Sequence, residues 1–199
     1  MKKYELTSET KVINGVELHR IKALKSFGRV EKGELGGWIE SEKNLSQDGD
    51  AWVFDNAKVR GNAWVGGNAM VGENATVGGY AVISGNATVG GYAVISGNAT
   101  ISGNAIVEDK AKVRGDATVI GNATVSGNAD YIVFKNWWSS GRYFTWTRSN
   151  NKWKVGCFYG SGEELIAKAY KDSEKSGREY ERVVKYVESI LKEENNNNK

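Results

Sequence analysis

The sequence predicts a mainly β protein, in which a parallel β-helix of triangular coils lies between a small N-terminal β cap and a C-terminal ββαα module. The main observation is a period of six: every sixth residue from Ala51 through Ala129 is alanine, fourteen times without a break. A Val or Ile stands two places after each alanine from Val53 to Val125, and Tyr131 closes the series. Beyond it the composition becomes basic and aromatic. An internal repeat this regular fixes the architecture of the segment that carries it.

Residues 1–50 are predicted to cap the first coil. Residues 12–18 read V-I-N-G-V-E-L, an Asn-Gly hairpin signal between two apolar runs. Residues 33–39 then lead the chain into the first coil. An open end of a β-helix exposes unpaired backbone and apolar side chains, so the first coil needs a cover.

Residues 51–131 are predicted to form about four and a half coils. A unit of six residues holds one short strand and one turn, so three units make one triangular coil. The Val or Ile points into the prism, and the alanine lies inward near a corner. Gly, Asn and Asp fill the turn positions, where the backbone angles are unusual.

The outward position just before each inward Val or Ile sorts onto three faces when it is read coil by coil. The first face carries Trp52, Met70, Thr88, Ile106 and Thr124. The second face carries Lys58, Thr76, Val94, Lys112 and Asp130. The third face carries Trp64, Val82, Thr100 and Thr118. Two faces therefore hold apolar stripes that a lone subunit would leave in water. We expect a homotrimer, because threefold symmetry closes contacts of one face against another into a ring. The predicted interface residues are Trp52, Trp64, Met70, Val82 and Ile106.

Residues 132–194 are predicted to form the ββαα module. Residues 142–148 and 153–159 read as a hairpin whose turn is S-N-N-K. With Arg148 opposite Trp153, one sheet face carries Phe144, Trp146, Trp153, Val155 and Cys157, and the other carries Tyr143, Thr145, Thr147, Lys154 and Phe158. Cys157 is therefore expected in the core.

Two helices should follow the hairpin. Residues 161–164 read S-G-E-E, a capping box that opens the first helix. A second helix is expected after residues 176–177, with an apolar stripe that covers the apolar hairpin face. Residues 195–199 are predicted to be a disordered tail.

The segment of residues 132–160 is the strongest candidate for a binding surface, because it contains five basic and no acidic residues. Aromatic and arginine side chains stack on bases, while lysines meet phosphates. The alternative is that most of these aromatic residues only fill the module's core, where we place Phe144, Trp146 and Trp153. The predicted contacts for a ligand or partner are Trp137, Trp138, Arg142, Tyr143, Thr145, Thr147 and Lys154.

The remaining composition argues against several classes of protein. The chain has one histidine, His19, which falls in the predicted cap, and one cysteine. A three-histidine zinc site within one chain and an internal disulfide are therefore excluded. We predict no catalytic residue, metal or cofactor. Because there is no long apolar run and no signal-peptide pattern, we expect no membrane span and a cytoplasmic protein.

Residues 51–131 resemble the hexapeptide-repeat family of left-handed parallel β-helices, and the left hand is implied by that resemblance. Many such proteins are acyltransferases that use a catalytic histidine and bind coenzyme A between neighbouring prisms, and related prisms are usually trimers. The ends of the chain, G-G-W-I-E at 36–40, S-G-R-Y at 140–143 and G-C-F-Y-G at 156–160, resemble small accessory proteins of phages and bacterial mobile elements. That resemblance implies a phage accessory protein, for which an anti-defence role is a hypothesis.

These observations together predict a non-enzymatic homotrimer that binds and sequesters or blocks a host protein or an anionic nucleotide ligand through its C-terminal module. If the protein is encoded by a phage, it would act in the cytoplasm of the host. Two alternatives stay open. One is a structural or virion-associated spacer whose prism is only a rigid stalk, and the other is a hexapeptide acyltransferase.

Overall fold

The computed structural model describes residues 2–197, and the chain in it forms two compact units. The first unit contains the residues up to Tyr131 together with Thr147–Asn150. The second contains Ile132–Trp146 and the residues from Asn151 onward. The predicted fold class is confirmed: a parallel β-solenoid is followed by an antiparallel sheet and two helices.

The N-terminal cap consists of three strands, β1 (Tyr4–Ile13), β2 (Val16–Ala23) and β3 (Leu35–Ile39). β1 and β2 form the predicted hairpin, whose turn residues Asn14 and Gly15 both have positive φ. This is the turn geometry that an Asn-Gly pair favours. β2 pairs antiparallel with β3, and β3 pairs parallel with a strand of the first coil. The cap therefore continues one of the solenoid's sheets.

Thirteen two-residue strands build the solenoid within residues 2–197: β4 (Trp52–Val53), β5 (Lys58–Val59), β6 (Trp64–Val65), β7 (Met70–Val71), β8 (Thr76–Val77), β9 (Val82–Ile83), β10 (Thr88–Val89), β11 (Val94–Ile95), β12 (Thr100–Ile101), β13 (Ile106–Val107), β14 (Lys112–Val113), β15 (Thr118–Val119) and β16 (Thr124–Val125). Every third strand pairs in parallel. The three sheets are β4-β7-β10-β13-β16, β5-β8-β11-β14 with the cap strands added at β5, and β6-β9-β12-β15. The predicted sorting onto three faces is confirmed from Trp52 to Thr124, but Asp130, predicted on the second face, lies in a 3-10 turn, Asn128–Asp130, and not in a strand.

The interior of the solenoid is a column of small and aliphatic side chains. The inward alanines from Ala51 to Ala123 and the inward Val and Ile residues from Val53 to Val125 are at most 1% exposed. The series ends at Val125, so the prediction that Tyr131 closes it is wrong. The Asp130 carboxylate accepts hydrogen bonds from the backbone N–H groups of Ser126 (2.8 Å) and Gly127 (2.7 Å), and this turn ends the coil.

The corners of the solenoid are lined by glycine and asparagine. Gly97 has a φ of 73°, and a Cβ there would lie 2.8 Å from the backbone nitrogen of Gly115 in the next coil. Glycine avoids the strain and the close contact that a Cβ would bring here, although Asp55, Glu73 and Asp109 hold the same position of the repeat in another column with φ of 50°, 56° and 54°. At another corner an asparagine ladder runs down the coils, in which each Nδ2 donates to the next Oδ1 at 3.0 Å. Its members are Asn68, Asn86, Asn104 and Asn122.

The cap buries Trp52, although this residue belongs to an outward face. Its ring makes edge-to-face contacts with Tyr4 and Phe27 at centroid distances of 6.0 and 5.4 Å. Lys3 is also buried there, and its amine donates to the carbonyl of Ala51 at 2.8 Å. Burial lowers the pKa of Lys3 to about 8. Because the cap covers Trp52 within its own subunit, the prediction that this residue lies in a trimer interface is wrong.

The second unit is built on a four-stranded sheet in the order β17-β18-β19-β20, followed by two helices. Its elements are β17 (Tyr131–Lys135), β18 (Tyr143–Thr147), β19 (Lys152–Val155), β20 (Phe158–Gly160), α1 (Gly162–Asp172) and α2 (Glu174–Asn197). The helices cover one face of the sheet, as predicted. The core of this unit contains Phe144, Trp146, Trp153, Val155, Leu165, Val184 and Val187.

The module departs from the sequence prediction in the second strand of its hairpin and in its second helix. The strand expected over residues 153–159 is broken, because Gly156 adopts a positive φ and starts the turn between β19 and β20. Cys157 lies in that turn and is exposed, so its predicted place in the core is wrong. Phe158, expected on the opposite face, packs against the core from the far side of the turn. α2 begins at Glu174, ahead of residues 176–177, and continues to Asn197 through part of the predicted tail. Residues 198 and 199 of that tail lie outside the described residues.

We expect that replacing Trp52 with alanine will destabilise the first unit by about 3–5 kcal/mol, because it leaves a cavity between the cap and the first coil. The measurement is urea denaturation followed by far-UV circular dichroism. Tyr80→Ala is the matched control, since Tyr80 is an exposed aromatic residue of the same unit. Equal stability of the two variants would contradict the observed packing of the cap.

Candidate ligand-binding site

A cleft of about 320 Å³ lies in the second unit between the β19–β20 turn and the two helices. Its volume is in the lower range of small-molecule pockets. Charged groups and apolar side chains both line it, including Arg142, Cys157, Leu165, Lys168, Asp172 and Tyr180. We call this site the module cleft.

The capping box sets the start of α1, which forms one wall of the cleft. The N–H of Glu164 donates to Ser161 Oγ at 3.2 Å, and the N–H of Ser161 donates to Glu164 Oε2 at 2.7 Å. Hydrogen bonds to the Glu164 carboxyl from the backbone N–H and the side chain of Ser161 hold its pKa below the usual value. From this start, the spacing of three residues places buried Leu165 and exposed Lys168 next to each other on the helix, and both line the cleft.

The opposite wall depends on the absence of a side chain at Gly156. This residue has a φ of 54°, and the Cδ of Arg142 lies 3.4 Å from the position that a Cβ would occupy. The guanidinium arm therefore lies across the turn. Cys157 follows directly and presents its thiol at the same wall.

Aromatic packing holds Tyr180, which lies on the cleft wall, in place. The ring centroid of Tyr180 is 4.7 Å from that of Phe144 and 5.9 Å from that of Trp138. α1 and α2 approach closely at Gly177, where a Cβ would lie 2.3 Å from the ring of Tyr170. The wall is therefore rigid and apolar, while Arg142 and Lys168 add positive charge and Asp172 adds one negative charge.

The seven residues predicted to contact a ligand do not form one surface. Arg142 lines the module cleft, and Trp137 is 81% exposed. Trp138 is half-buried and packs against the core, so only part of its ring is accessible. Tyr143 is half-buried with the Lys135 amine 5.6 Å from its ring centroid, and Lys154 is half-buried in β19.

Thr145 and Thr147 are 2% and 4% exposed, so their predicted availability to a ligand is wrong. Both lie in β18, which has a neighbouring strand on each side in the sheet. The hydroxyl of Thr147 also donates to Asn150 Oδ1 at 2.6 Å. Sequence alternation assigned them to the correct face of the strand, but it did not show that this position is covered.

Nine of the ten residues that line the module cleft were not singled out as contacts, among them Cys157, Lys168, Asp172 and Tyr180. Lys168 and Asp172 are four residues apart on α1, a spacing that places them on one side of a helix. Gly156 is an isolated glycine inside a strand pattern, a signal of an irregular strand that could have placed the Cys157 thiol at the surface. Tyr180 is part of the apolar stripe of α2, and a stripe does not show which residue lines a cavity.

Four of the five residues predicted for a trimer interface keep accessible surface. Trp64 is 39% and Ile106 is 38% exposed, while Met70 and Val82 are half-buried. The indole of Trp64 folds over Gly66, where a Cβ would lie 2.1 Å from the ring. The glycine therefore lets a large apolar side chain lie flat along its own coil.

Other kinds of site have less support. No helix in residues 2–197 is both long enough and apolar enough to cross a membrane. Among the same residues, no three or more His, Cys, Asp and Glu side chains come together as a metal site would require. His19 is half-buried in β2, opposite Thr10 on one side and Ile39 on the other.

Comparison with known proteins points to the solenoid repeat. Residues 93–109 match a family described as the YdcK beta solenoid repeat. The chain is also 35% identical over 63 residues to a protein of Escherichia coli K12 named uncharacterized acetyltransferase YdcK. That match covers 28% of this chain, which spans only 19% of the length of the E. coli protein. The similarity supports a repeat β-helix protein.

We expect the Cys157 thiol to react with a maleimide in the native protein, because it is exposed on the turn. Mass spectrometry should find about one label per chain before any denaturant is added. A Cys157→Ser variant, which should take up no label, is the control. Labelling that requires unfolding would contradict the observed position of the turn.

Proposed function

We propose that the protein is a non-enzymatic binding protein, in which the module cleft takes the anionic group of a ligand. The observation that carries this is the presence of both Arg142 and Lys168 in the lining of a cleft with apolar walls. A guanidinium binds carboxylate or phosphoryl oxygens through paired N–H groups, and an ammonium adds a point charge. The apolar body of the ligand would lie on Leu165 and Tyr180. An anionic nucleotide and an acidic segment of a host protein both fit this description, and sequestering or blocking either one is the role that we propose.

The test is native mass spectrometry of the protein purified from a bacterial host. We expect a retained ligand on the wild type and its loss from an Arg142→Glu, Lys168→Glu double variant, because both cations are reversed. The matched control is Lys171→Glu with Lys192→Glu, which reverses two exposed helix lysines outside the residues that line the cleft. Absence of any retained ligand on the wild type, or an equal amount on the cleft variant, would overturn the proposal.

We also propose a homotrimer formed through the exposed apolar residues of the first and third solenoid faces. Trp64 on the third face and Ile106 on the first face support this, because large apolar side chains that stay exposed on a subunit surface are typical of an interface. Their replacement together by lysine should convert trimers to monomers at micromolar concentration, measured by light scattering. Tyr80→Lys with Tyr92→Lys is the control, since both tyrosines are exposed but precede the corner alanines. A wild-type monomer would contradict this part of the proposal.

An acetyltransferase is the second candidate, and the similarity to a protein named as one favours it. Against it, the single histidine lies in a cap strand, where it is half-buried. Titration with acetyl coenzyme A separates the two functions, because turnover of this compound would support the enzyme. A structural spacer, a phage origin and an anti-defence role stay predictions of the sequence.

A further inference from the structure

Two cations lie against the ring of Trp38, where the N-terminal hairpin meets the solenoid. The Lys11 amine of β1 is 3.7 Å from the ring centroid, and the Arg20 guanidinium carbon of β2 is 5.4 Å from it. Trp38 itself is buried in β3. One cation over an indole is a common stabilising contact. A second cation at the same ring repels the first, and the packing of a tryptophan does not need it.

A third cation, Lys58, lies directly beside Trp38 in the neighbouring strand β5. Of the charged groups that face Lys11, Arg20 and Lys58 are positive, and Glu9 on its own strand is negative. The Glu9 carboxylate is 3.6 Å from Arg20 and half its surface is exposed. Burial lowers the pKa of Lys11 to about 8, and repulsion from Lys58 and Arg20 adds to that lowering. The three cations and one carboxylate leave an excess of two positive charges, and a bound anion would relieve their repulsion.

A cleft of about 350 Å³ lies on the same solenoid face and reaches the start of β2 at Val16. Thr76 and Val94 line it, and Thr76 pairs with Lys58 one coil away, a separation of about 4.8 Å. Arg60 and Glu40 also line it. The Glu40 carboxylate accepts the N–H of Gly61 at 2.5 Å, which fixes its position. The three cations do not themselves line this cleft, but Lys58 is the strand neighbour of Thr76, so the cleft lies next to the cation cluster and offers a hydroxyl, an apolar wall and the charged groups Arg60 and Glu40.

We propose that the hairpin and this solenoid face form a binding site for a phosphorylated small molecule. The phosphoryl oxygens meet Lys11, Arg20 and Lys58, and the body of the ligand lies along Thr76 and Val94. Phosphoryl groups suit this cluster because they carry two charges on a compact group and accept several hydrogen bonds. The site lies in the first unit and does not depend on the module cleft.

Binding should depend on pH through Lys11, whose pKa is about 8 in the free protein. The bound anion favours the charged amine, so it raises this pKa. Affinity is then unaffected by Lys11 below about pH 8. Above that value it falls by up to about tenfold per pH unit, until the raised pKa is reached.

Isothermal titration calorimetry with inorganic pyrophosphate and with ribose 5-phosphate tests the site. We expect both to bind the wild type at pH 7, and Lys11→Met and Lys58→Met each to weaken binding by at least about tenfold. Lys32→Met removes an exposed lysine of the cap loop and serves as the control, with unchanged affinity. Inorganic phosphate is the third probe. Tighter binding of ribose 5-phosphate than of phosphate would support the position of the ligand's sugar in the cleft. Equal binding of the two would overturn that position.

Measuring binding as a function of pH shows whether Lys11→Met weakens binding by removing a direct contact with the ligand or by disturbing the structure. The affinity ratio of wild type to Lys11→Met should fall towards one between pH 8 and pH 9.5, because the wild-type amine loses its charge. The ratio also removes the ionisation of the ligand from the comparison. Binding by Lys11→Met that equals the wild type, or no binding of any probe to the wild type, would overturn the proposal. Lys58→Met gives an independent reading if the first variant fails to fold.

Discussion

The solenoid depends on backbone hydrogen bonds that join each coil to the next. Val82 N–H donates to the carbonyl of Ala99 at 2.9 Å, and Ser84 N–H donates to that of Ile101 at the same distance. These bonds leave room inside only for the alanine and the single Val or Ile of each unit. A coil therefore has its partners almost entirely in its two neighbours, which is typical of repeat proteins. The first coil has a neighbour on one side only, and the three-stranded cap supplies the missing partner through β3.

The parts of the fold that could be predicted are those fixed by local or repeated signals. Asn14-Gly15 requires a tight hairpin turn, and Ser161 with Glu164 satisfies the first N–H groups of α1. The three faces follow from the period alone, because side chains one coil apart must stack. Each of these features is specified by a few adjacent residues or by a regular spacing, so tertiary contacts do not change the structure that the sequence predicts there.

The other features of the fold could not be predicted, because they depend on which distant segments of the chain cover a residue and not on its neighbours in sequence. Trp52 occupies an outward position, yet Phe27 and Tyr4 cover it from segments that no repeat describes. Cys157 has the alternation of a core residue, but a positive φ at Gly156 breaks the strand before it. The module cleft could be predicted only in part for the same reason. The basic composition of residues 132–160 indicated Arg142, whereas Lys168 joins the cleft only because α1 packs against the sheet.

The asparagine ladder has a consequence for how such a chain changes length over generations. The two inner members, Asn86 and Asn104, each have an asparagine partner above and below at the same distance of 3.0 Å, and the end members Asn68 and Asn122 each have one. Removal or duplication of one whole coil leaves every remaining amide with an equivalent neighbour. Gene slippage in steps of one coil is therefore structurally silent along this column, whereas a step that is not a multiple of six residues moves the inward residues out of register. The length of the solenoid can therefore change over evolution in steps of one coil, each about 4.8 Å.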